Sequence, residues 1–106
     1  MIRLILEYQA KDEKAAEQLI EVIREIRNEA LKQPGYITGE TLVNTEDSCN
    51  IIVISSWQSL EHWRAWHESE KQVKIAQRLD SLLAEPRIAR TYRHSLVRGN
   101  RVWSTF

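Results

Sequence analysis

The first thirty residues change from a period of two to a helical period. Apolar side chains occupy every second position at the start of the chain, at Ile2, Leu4, Leu6 and Tyr8. This alternation predicts a β-strand over residues 2–9. After Asp12, a good N-cap, apolar residues recur at intervals of three and four, at Ala15, Leu19, Val22, Ile23, Ile26 and Ala30. The pattern predicts a helix that runs to about Gln33, where Pro34-Gly35 breaks it.

Two segments rich in β-forming residues follow, at residues 36–44 and 50–57. The five residues between them, Thr45-Glu46-Asp47-Ser48-Cys49, are mostly turn formers. Two strands joined in this way predict a hairpin. We expect Cys49, the only cysteine, to lie in the turn without a chemical role.

A second helical region and a fourth strand complete the pattern. Ser59 is a good N-cap for a helix to about Glu68, and Ser69 with Gln72 forms a capping-box signature for a further helix that ends near Glu85. Pro86 then stops the helix. Residues 88–97 alternate again and predict a strand, with Arg98-Gly99-Asn100 as a turn before the last residues.

The element order β-α-β-β-α-β is that of the split βαβ, or ferredoxin-like, α+β fold. In this fold an antiparallel sheet carries its helices on one face. A chain of 106 residues has room for one core, so we expect one domain over residues 1–97 and a C-terminal tail over residues 98–106.

The predicted fold leaves the second face of the sheet uncovered. The third strand is apolar on both sides, with Ile51 and Val53 facing one way and Ile52 and Ile54 the other. A bare second face would expose a large apolar surface. A second copy of the chain, packed sheet to sheet, is the simplest cover, and we expect a homodimer.

Composition and charge exclude several kinds of partner. Apolar residues make up 42% and charged residues 28%, as in a folded globular protein. Fifteen basic side chains balance fifteen acidic ones, so nucleic acid is not expected as a partner. No apolar run approaches the roughly 20 residues that cross a bilayer, and the start lacks the pattern of a signal peptide. We therefore expect a cytoplasmic protein that does not enter membranes.

Three ordered motifs resemble the antibiotic-biosynthesis monooxygenase family over about residues 1–95. They are Pro34-Gly35-Tyr36, the end of the third strand at Ser56-Trp57, and Trp63-x-x-Trp66-x-x-Ser69. The resemblance implies a ferredoxin-like dimer whose two sheets form a barrel, with a pocket in each protomer between helices and sheet. Known members include cofactor-independent oxygenases of polycyclic phenols and quinols, haem-degrading enzymes, and proteins that process small signalling molecules. Fold membership alone does not decide between them.

Tryptophans gather where the third strand meets the second helical region. Trp63 and Trp66 are three residues apart on a helix, and Trp57 ends the strand before it. The rings could form a wall for a flat ligand or simply fill the core. Core packing is the preferred interpretation for Trp63. The family resemblance favours a ligand-binding role for Trp57 and Trp66, because the matching positions line the pocket in characterised members.

His62 and His67 are the candidate catalytic bases. Each lies four residues from one of the helical tryptophans and could reach a cleft. A histidine near its free pKa can deprotonate a phenol, and the phenolate can react with oxygen. The alternative is an exposed helix-surface histidine. No histidine pair has ligand spacing with a carboxylate, so no protein-bound metal is expected.

Tyr36, Tyr92 and Arg90 are further pocket candidates. A tyrosine offers a hydroxyl on an apolar body, and an arginine could hold a carboxylate or an enolate. Tyr92 and Arg90 lie on one face of the fourth predicted strand. The alternative roles are structural, with tyrosine in the sheet core and arginine at its rim.

Haem is the cofactor that the resemblance raises and the sequence disfavours. The haem-degrading branch of the family has an asparagine on the first strand, a tryptophan on the middle helix and an axial histidine about ten residues later. Only the tryptophan is matched, by Trp66, and the axial position falls at or beside Ala76. Haem would lack its axial ligand there, although His67 could act from another direction.

Two functions from different classes remain open. The leading hypothesis is a cofactor-independent monooxygenase of a small aromatic phenol or quinol, with dioxygen as the second substrate. The rival is a non-catalytic module that binds a small molecule or another protein. Five arginines and no acidic residue follow Pro86, at residues 87, 90, 93, 98 and 101. They could attract an anionic substrate or partner, although solvated strand faces are the simpler interpretation.

Overall fold

A computed structural model describes residues 1–95 of the chain. It contains a four-stranded antiparallel sheet with the strand order β2-β3-β1-β4. The strands are β1 (Ile2–Gln9), β2 (Tyr36–Val43), β3 (Asn50–Trp57) and β4 (Ile88–Arg93). The helices are α1 (Glu13–Ala30), α2 (Leu60–His67) and α3 (Glu70–Ala76), followed by a 3₁₀ helix (Gln77–Leu82). The element order and the sheet topology confirm the predicted ferredoxin-like α+β fold.

The two faces of the sheet have different environments. On β1 the side chains of Leu4, Leu6 and Tyr8 are buried beneath the helices, and the residues between them point to the other face. Tyr8 is 1% exposed. The period of two in the sequence therefore assigns each residue of β1 to the correct face.

Helix α1 covers the middle of the sheet. It begins at the predicted N-cap, where the Asp12 carboxylate accepts a hydrogen bond from the Ala15 amide at 2.8 Å. Its apolar side contributes the fully buried Leu19 to the core. The helix ends at Ala30, three residues before the predicted end. After the helix, the Gln33 amide donates a hydrogen bond to the Ala30 carbonyl at 2.9 Å, which is the three-residue spacing of a 3₁₀ turn.

The second helical region is divided. Ser59 and Ser69 cap α2 and α3 as the sequence predicts. The expectation of a helix that continues to near Glu85 is wrong, because the α-helix ends at Ala76 and a 3₁₀ helix follows it. The chain then turns extended so that the Ala84 amide can bond the Gln9 carbonyl at 2.8 Å, at the end of β1. Pairing with the sheet thus outweighs the local helical preference.

The last strand lies at an edge of the sheet, and β4 ends at Arg93. The sequence predicts four more strand residues, of which residues 96 and 97 lie outside the described part, as does the predicted tail over residues 98–106. No helix within residues 1–95 is both long and apolar enough to cross a membrane.

Candidate active site

A small cavity lies between the sheet and the helices. A volume of about 50 Å³ is open to the centre of a water-sized sphere. A single water needs roughly 10–15 Å³ on this measure, so the cavity holds a few waters. The walls come from the sheet, α1, α2 and α3: Leu4, Leu6, Tyr8, Ile23, Ile26, Arg27, Ala30, Tyr36, Gly39, Val53, Ser55, Trp57, Trp63, Trp66, His67 and Gln72. The lining is mostly apolar with a few polar groups, as in sites for small organic molecules.

Three tryptophans line the cavity, including Trp63, for which core packing is the preferred prediction. Trp57 is 1% exposed, and its indole nitrogen donates a hydrogen bond to the Ser55 hydroxyl at 3.2 Å. The ring of Tyr36 meets Trp57 edge to face, with 5.3 Å between ring centroids. Trp63 and Trp66 are also buried. The hydrogen bond and the edge-to-face contact fix the orientation of the Trp57 ring, so it presents a rigid surface.

His67 is the predicted histidine that reaches the cavity. Its imidazole stacks on the Trp63 indole, with 4.7 Å between centroids and 22° between ring planes. Burial and then the nearby Arg87 cation lower the pKa of His67, and the Glu68 carboxylate opposes them. A lowered pKa keeps the imidazole neutral near pH 7, and a neutral imidazole can accept a proton.

Gln72 supplies a buried amide that faces the cavity. The residue is 3% exposed, and its backbone amide is bonded to the Ser69 hydroxyl as part of the α3 cap. Within residues 1–95 its side-chain carboxamide has no hydrogen-bond partner. Neither carboxamide atom is fully shut off from water, because the side chain lines both the cavity and a neighbouring open pocket, so the amide can bond a ligand or a water there. The sequence reveals Gln72 only as a capping-box position.

Arg27 and Tyr36 border the cavity on the side of α1 and β2. The Arg27 guanidinium donates a hydrogen bond to the Thr41 hydroxyl. Burial raises the pKa of the Tyr36 phenol, and the Arg27 charge opposes that effect. Tyr36 is therefore a neutral phenol on the cavity lining and remains a pocket candidate, whereas Arg27 is a lining residue that the sequence analysis does not name. The sequence does contain a sign of this role, because Arg27 is a basic residue on the apolar side of α1.

His62 lies on a different surface from His67. It borders a shallow pocket beside Gln33 and Pro34, on the far side of Trp66. Its Nδ1 atom is 2.7 Å from the Ser59 hydroxyl. The four-residue spacing does place His62 beside Trp66, but this large ring contacts both the shallow pocket and the cavity. The structure therefore separates the two candidate bases.

Arg90 and Tyr92 lie on the sheet face away from the helices. In the strand register they stand opposite Ile5 and Arg3, between the inward-facing residues of β1. Arg90 makes a 3.5 Å ion pair with Glu7, and Tyr92 is 50% exposed. The two residues share a face, as predicted, but it is the opposite face from the cavity. The sequence could not assign the faces of an edge strand whose side chains are all exposed.

An open pocket adjoins the cavity, with a volume of about 340 Å³ on the same measure. Its lining includes His67 and Gln72, which also line the cavity. On its wall lies Arg87, whose guanidinium donates a hydrogen bond to the Tyr8 hydroxyl at 3.2 Å. His67 and Gln72 thus form the partition between the two spaces.

The position implied for an axial haem ligand does not offer one. Ala76, at the position of the axial ligand implied by the family resemblance, lies on the wall of the open pocket and offers only a methyl group. Within the described part of the chain, no three histidine, cysteine or carboxylate side chains are grouped as ligands for a metal ion.

Comparisons with known proteins place the chain in a family. A comparison with curated proteins found no match. The chain is similar in structure to a conserved protein from Methanosarcina mazei, with 18% identity over 89% of this chain and 92% of that one and a TM-score of 0.82. It is similar to an antibiotic biosynthesis monooxygenase, with 13% identity over 90% and 99% of the two chains and a TM-score of 0.80.

A third similar structure is that of SnoaB, a cofactor-independent oxygenase from Streptomyces nogalater. It shares 16% identity over 90% of this chain and 95% of SnoaB, with a TM-score of 0.75. At these identities the three structures show a shared fold. The sequence model of the antibiotic biosynthesis monooxygenase family matches residues 1–78, and the chain therefore belongs to that family.

Proposed function

We propose that the protein is a cofactor-independent monooxygenase that oxidises a small aromatic phenol or quinol in the cavity. The observation that carries the proposal is a histidine with a lowered pKa, stacked on an indole ring inside an aromatic cavity. Membership of the monooxygenase family supports it. The structural similarity to SnoaB, a cofactor-independent oxygenase, is consistent with a reaction that uses no metal or organic cofactor.

His67 is the general base in this proposal. Its neutral imidazole takes the phenol proton, and the resulting phenolate is electron-rich enough to react with dioxygen. A positioned general base contributes typically about 10²–10⁴-fold to the rate. The Gln72 carboxamide, free of other partners within residues 1–95, donates a hydrogen bond to the substrate oxygen. Trp57 and Trp66 hold the ring and keep water away from it.

The overall reaction needs no external reductant. A phenol that carries hydrogen on the reacting ring carbon combines with one dioxygen and gives a quinone and one water. One oxygen atom forms a bond to the ring carbon, and the O–O bond breaks. The other oxygen leaves as water with the hydrogen of that carbon and the phenol proton, while the four electrons lost by the ring reduce dioxygen.

The substrate must widen the cavity as it enters. About 50 Å³ is far below the roughly 300 Å³ at which sites for organic ligands begin. The Gln72 side chain is the part of the lining that can move with the smallest loss of free energy, because its rotation breaks no hydrogen bond within residues 1–95. Rotation of this side chain toward the open pocket would join the pocket to the cavity, since Gln72 and His67 line both.

We also propose that two copies pair through the sheet face opposite the helices. Partly buried Ile5, Ile52 and Ile54 lie at its centre, with Leu42 and Tyr92 left 41% and 50% exposed around them. Covering such a face removes apolar area from water. Light scattering on Ile54→Lys tests this: a monomer from a dimeric parent supports the proposal, whereas an unchanged dimer refutes it.

Oxygen consumption by metal-free protein tests the proposed reaction. The panel contains naphthols, hydroquinones and anthrone-like compounds, and the products are identified by mass spectrometry. We expect uptake of one dioxygen for each quinone formed, and a loss of about 100-fold or more in His67→Gln. His62→Gln is the matched control, since that histidine lies outside the cavity, and should keep its activity.

No uptake above the uncatalysed rate with any compound refutes the oxygenase. Tight binding of the same compounds without turnover would then support the rival from another class, a non-catalytic module that uses the cavity to bind a small molecule. Equal losses in the two histidine variants would also contradict the assignment of His67 as the base.

A further inference from the structure

Neither of the two adjoining spaces provides a complete site by itself. The cavity of about 50 Å³ has aromatic walls, whereas the open pocket of about 340 Å³ is lined by Asp80 and Arg87 and, within residues 1–95, has no aromatic ring other than the shared His67. They share His67 and Gln72 as a partition. The open pocket alone exceeds the roughly 300 Å³ lower limit for an organic ligand but has no aromatic wall in the described part of the chain, whereas the aromatic cavity is far below that limit. A ligand that uses both spaces extends through the partition.

Arg87 lines the open pocket together with the Asp80 carboxylate, but the two side chains form no ion pair. Arg87 is half-buried, and within residues 1–95 no carboxylate forms an ion pair with it. Residues 96–106 contain no aspartate or glutamate. Its hydrogen bond goes to the Tyr8 hydroxyl, and burial raises the pKa of that phenol, so Tyr8 stays neutral. A half-buried guanidinium with only a neutral acceptor retains donors and charge for an anion.

The Tyr8–Arg87 hydrogen bond crosses the boundary between the two spaces. Tyr8 lines the cavity, and Arg87 lines the open pocket. Pro86 restricts the backbone immediately before Arg87 and also lines that pocket. The hydrogen bond to Tyr8 places the guanidinium beside the partition, and its charge lowers the pKa of the His67 imidazole.

We propose that Arg87 binds a carboxylate of the ligand in the open pocket, so that the substrate of this site is an aromatic acid whose phenol ring lies in the cavity. The proposal rests on the proposed function and names the class of its substrate. The guanidinium can hold a carboxylate through two parallel hydrogen bonds, which fixes the ring relative to His67. Bound this way, the ligand is oriented before any chemistry begins.

Two other charged residues define the alternatives. Arg27 lies in the cavity itself, but its guanidinium already donates to Thr41. Asp80 lies on the wall of the open pocket, and it should repel a carboxylate bound there. Each residue gives a further variant. Replacing Asp80 should strengthen binding of the acid, and replacing Arg27 tests a cation in the cavity instead of the open pocket.

Calorimetric titration with a matched pair of ligands tests the proposal. The probes are 3-hydroxy-2-naphthoate and 3-hydroxy-2-naphthamide, which share a phenol ring system and differ in charge. We expect the parent protein to bind the acid about 10-fold more tightly than the amide, and Arg87→Gln to abolish this preference without weakening the amide. Arg90→Gln, on the opposite sheet face, is the control and keeps the preference.

Asp80→Asn provides an independent variant at an exposed position. It should strengthen binding of the acid by roughly 2- to 3-fold and leave the amide unchanged, because the effect is a screened repulsion. The same measurements are possible even if Arg87→Gln does not fold, a condition that circular dichroism checks.

The outcomes separate this inference from the proposed function. Equal binding of acid and amide by the parent protein, or a preference kept by Arg87→Gln and lost by Arg27→Gln, overturns the role of Arg87 and leaves the oxygenase proposal standing. Binding of neither probe overturns the aromatic-acid proposal, whereas the oxygenase proposal is decided by oxygen uptake across the whole panel. Preference for the acid together with no oxygen uptake supports the carboxylate site and refutes the oxygenase alone.

Discussion

Replacing Gln72 by leucine should make the protein more stable and its site weaker. Gln72 is 3% exposed, and its carboxamide bonds no group within residues 1–95. A fully buried amide without a partner costs about 1–3 kcal/mol, and the Gln72 carboxamide, whose atoms keep some contact with open space, bears part of that cost. Leucine has nearly the same size and needs no hydrogen bond, so the cavity wall stays filled while that unfavourable term is removed.

The expected gain lies at the lower end of this range. The adjoining cavity of about 50 Å³ can hold a few waters, and a water there bonds the amide and offsets part of its desolvation. We therefore expect the free energy of unfolding of Gln72→Leu to rise by about 1 kcal/mol. For a domain of this size the corresponding rise in Tm is roughly 4–8 °C.

Urea unfolding at fixed pH measures the change, with an unchanged m-value as evidence that only stability has altered. Gln18→Leu, at an exposed position of α1, is the matched control and should change stability by less than about 0.5 kcal/mol. Binding of 3-hydroxy-2-naphthoate should weaken about 10-fold in Gln72→Leu, since a hydrogen-bond donor is lost. A destabilisation of about 1 kcal/mol or more would refute the reasoning, because it would show that the carboxamide holds the fold together.

Three further predictions concern the scaffold and the base. Gly35→Ala should lower the free energy of unfolding by about 1–3 kcal/mol in urea titrations, because alanine is strained at φ 88° and its Cβ would lie 2.4 Å from Cγ of His62. Leu19→Ala should lower it by about 2–5 kcal/mol, since this fully buried leucine leaves a cavity under α1. The His67 pKa lies below its usual 6.5 in the folded state, so protons bind the unfolded state more readily, and stability should fall as pH drops from about 6.5 through the folded pKa. His67→Gln should remove that part of the pH dependence, and an unchanged pH profile would contradict the lowered pKa.

The fold follows from the sequence because its signals are local and agree with one another. Alternation in residues 2–9 and the Asp12 cap each specify an element, and the order of elements then restricts the topology. The failure after Ala76 has a non-local cause. The bond between Ala84 and the end of β1 joins residues far apart in sequence, and no helical period contains that information.

The site is only partly accessible to sequence reasoning. Motif and spacing identify the three tryptophans and His67, because one helix and one strand end bring them together. The sequence identifies Gln72 only as a capping-box residue and Arg87 only as one of five arginines after Pro86, because it does not show which spaces their side chains line. His62 is a case in which helical spacing misleads. The spacing correctly places His62 beside Trp66, but it does not show that His62 lies on the side of this ring away from the cavity.

The central claim is that an aromatic ring enters the space between the tryptophans and His67. Proton–nitrogen correlation spectra of the protein, recorded as 3-hydroxy-2-naphthoate is added, test it directly. We expect ring currents from the ligand to move the indole signals of Trp57, Trp63 and Trp66, while amides on the outer side of α1 stay in place. Unmoved indole signals, with shifts confined to the sheet face that bears Arg90 and Tyr92, would contradict the claim.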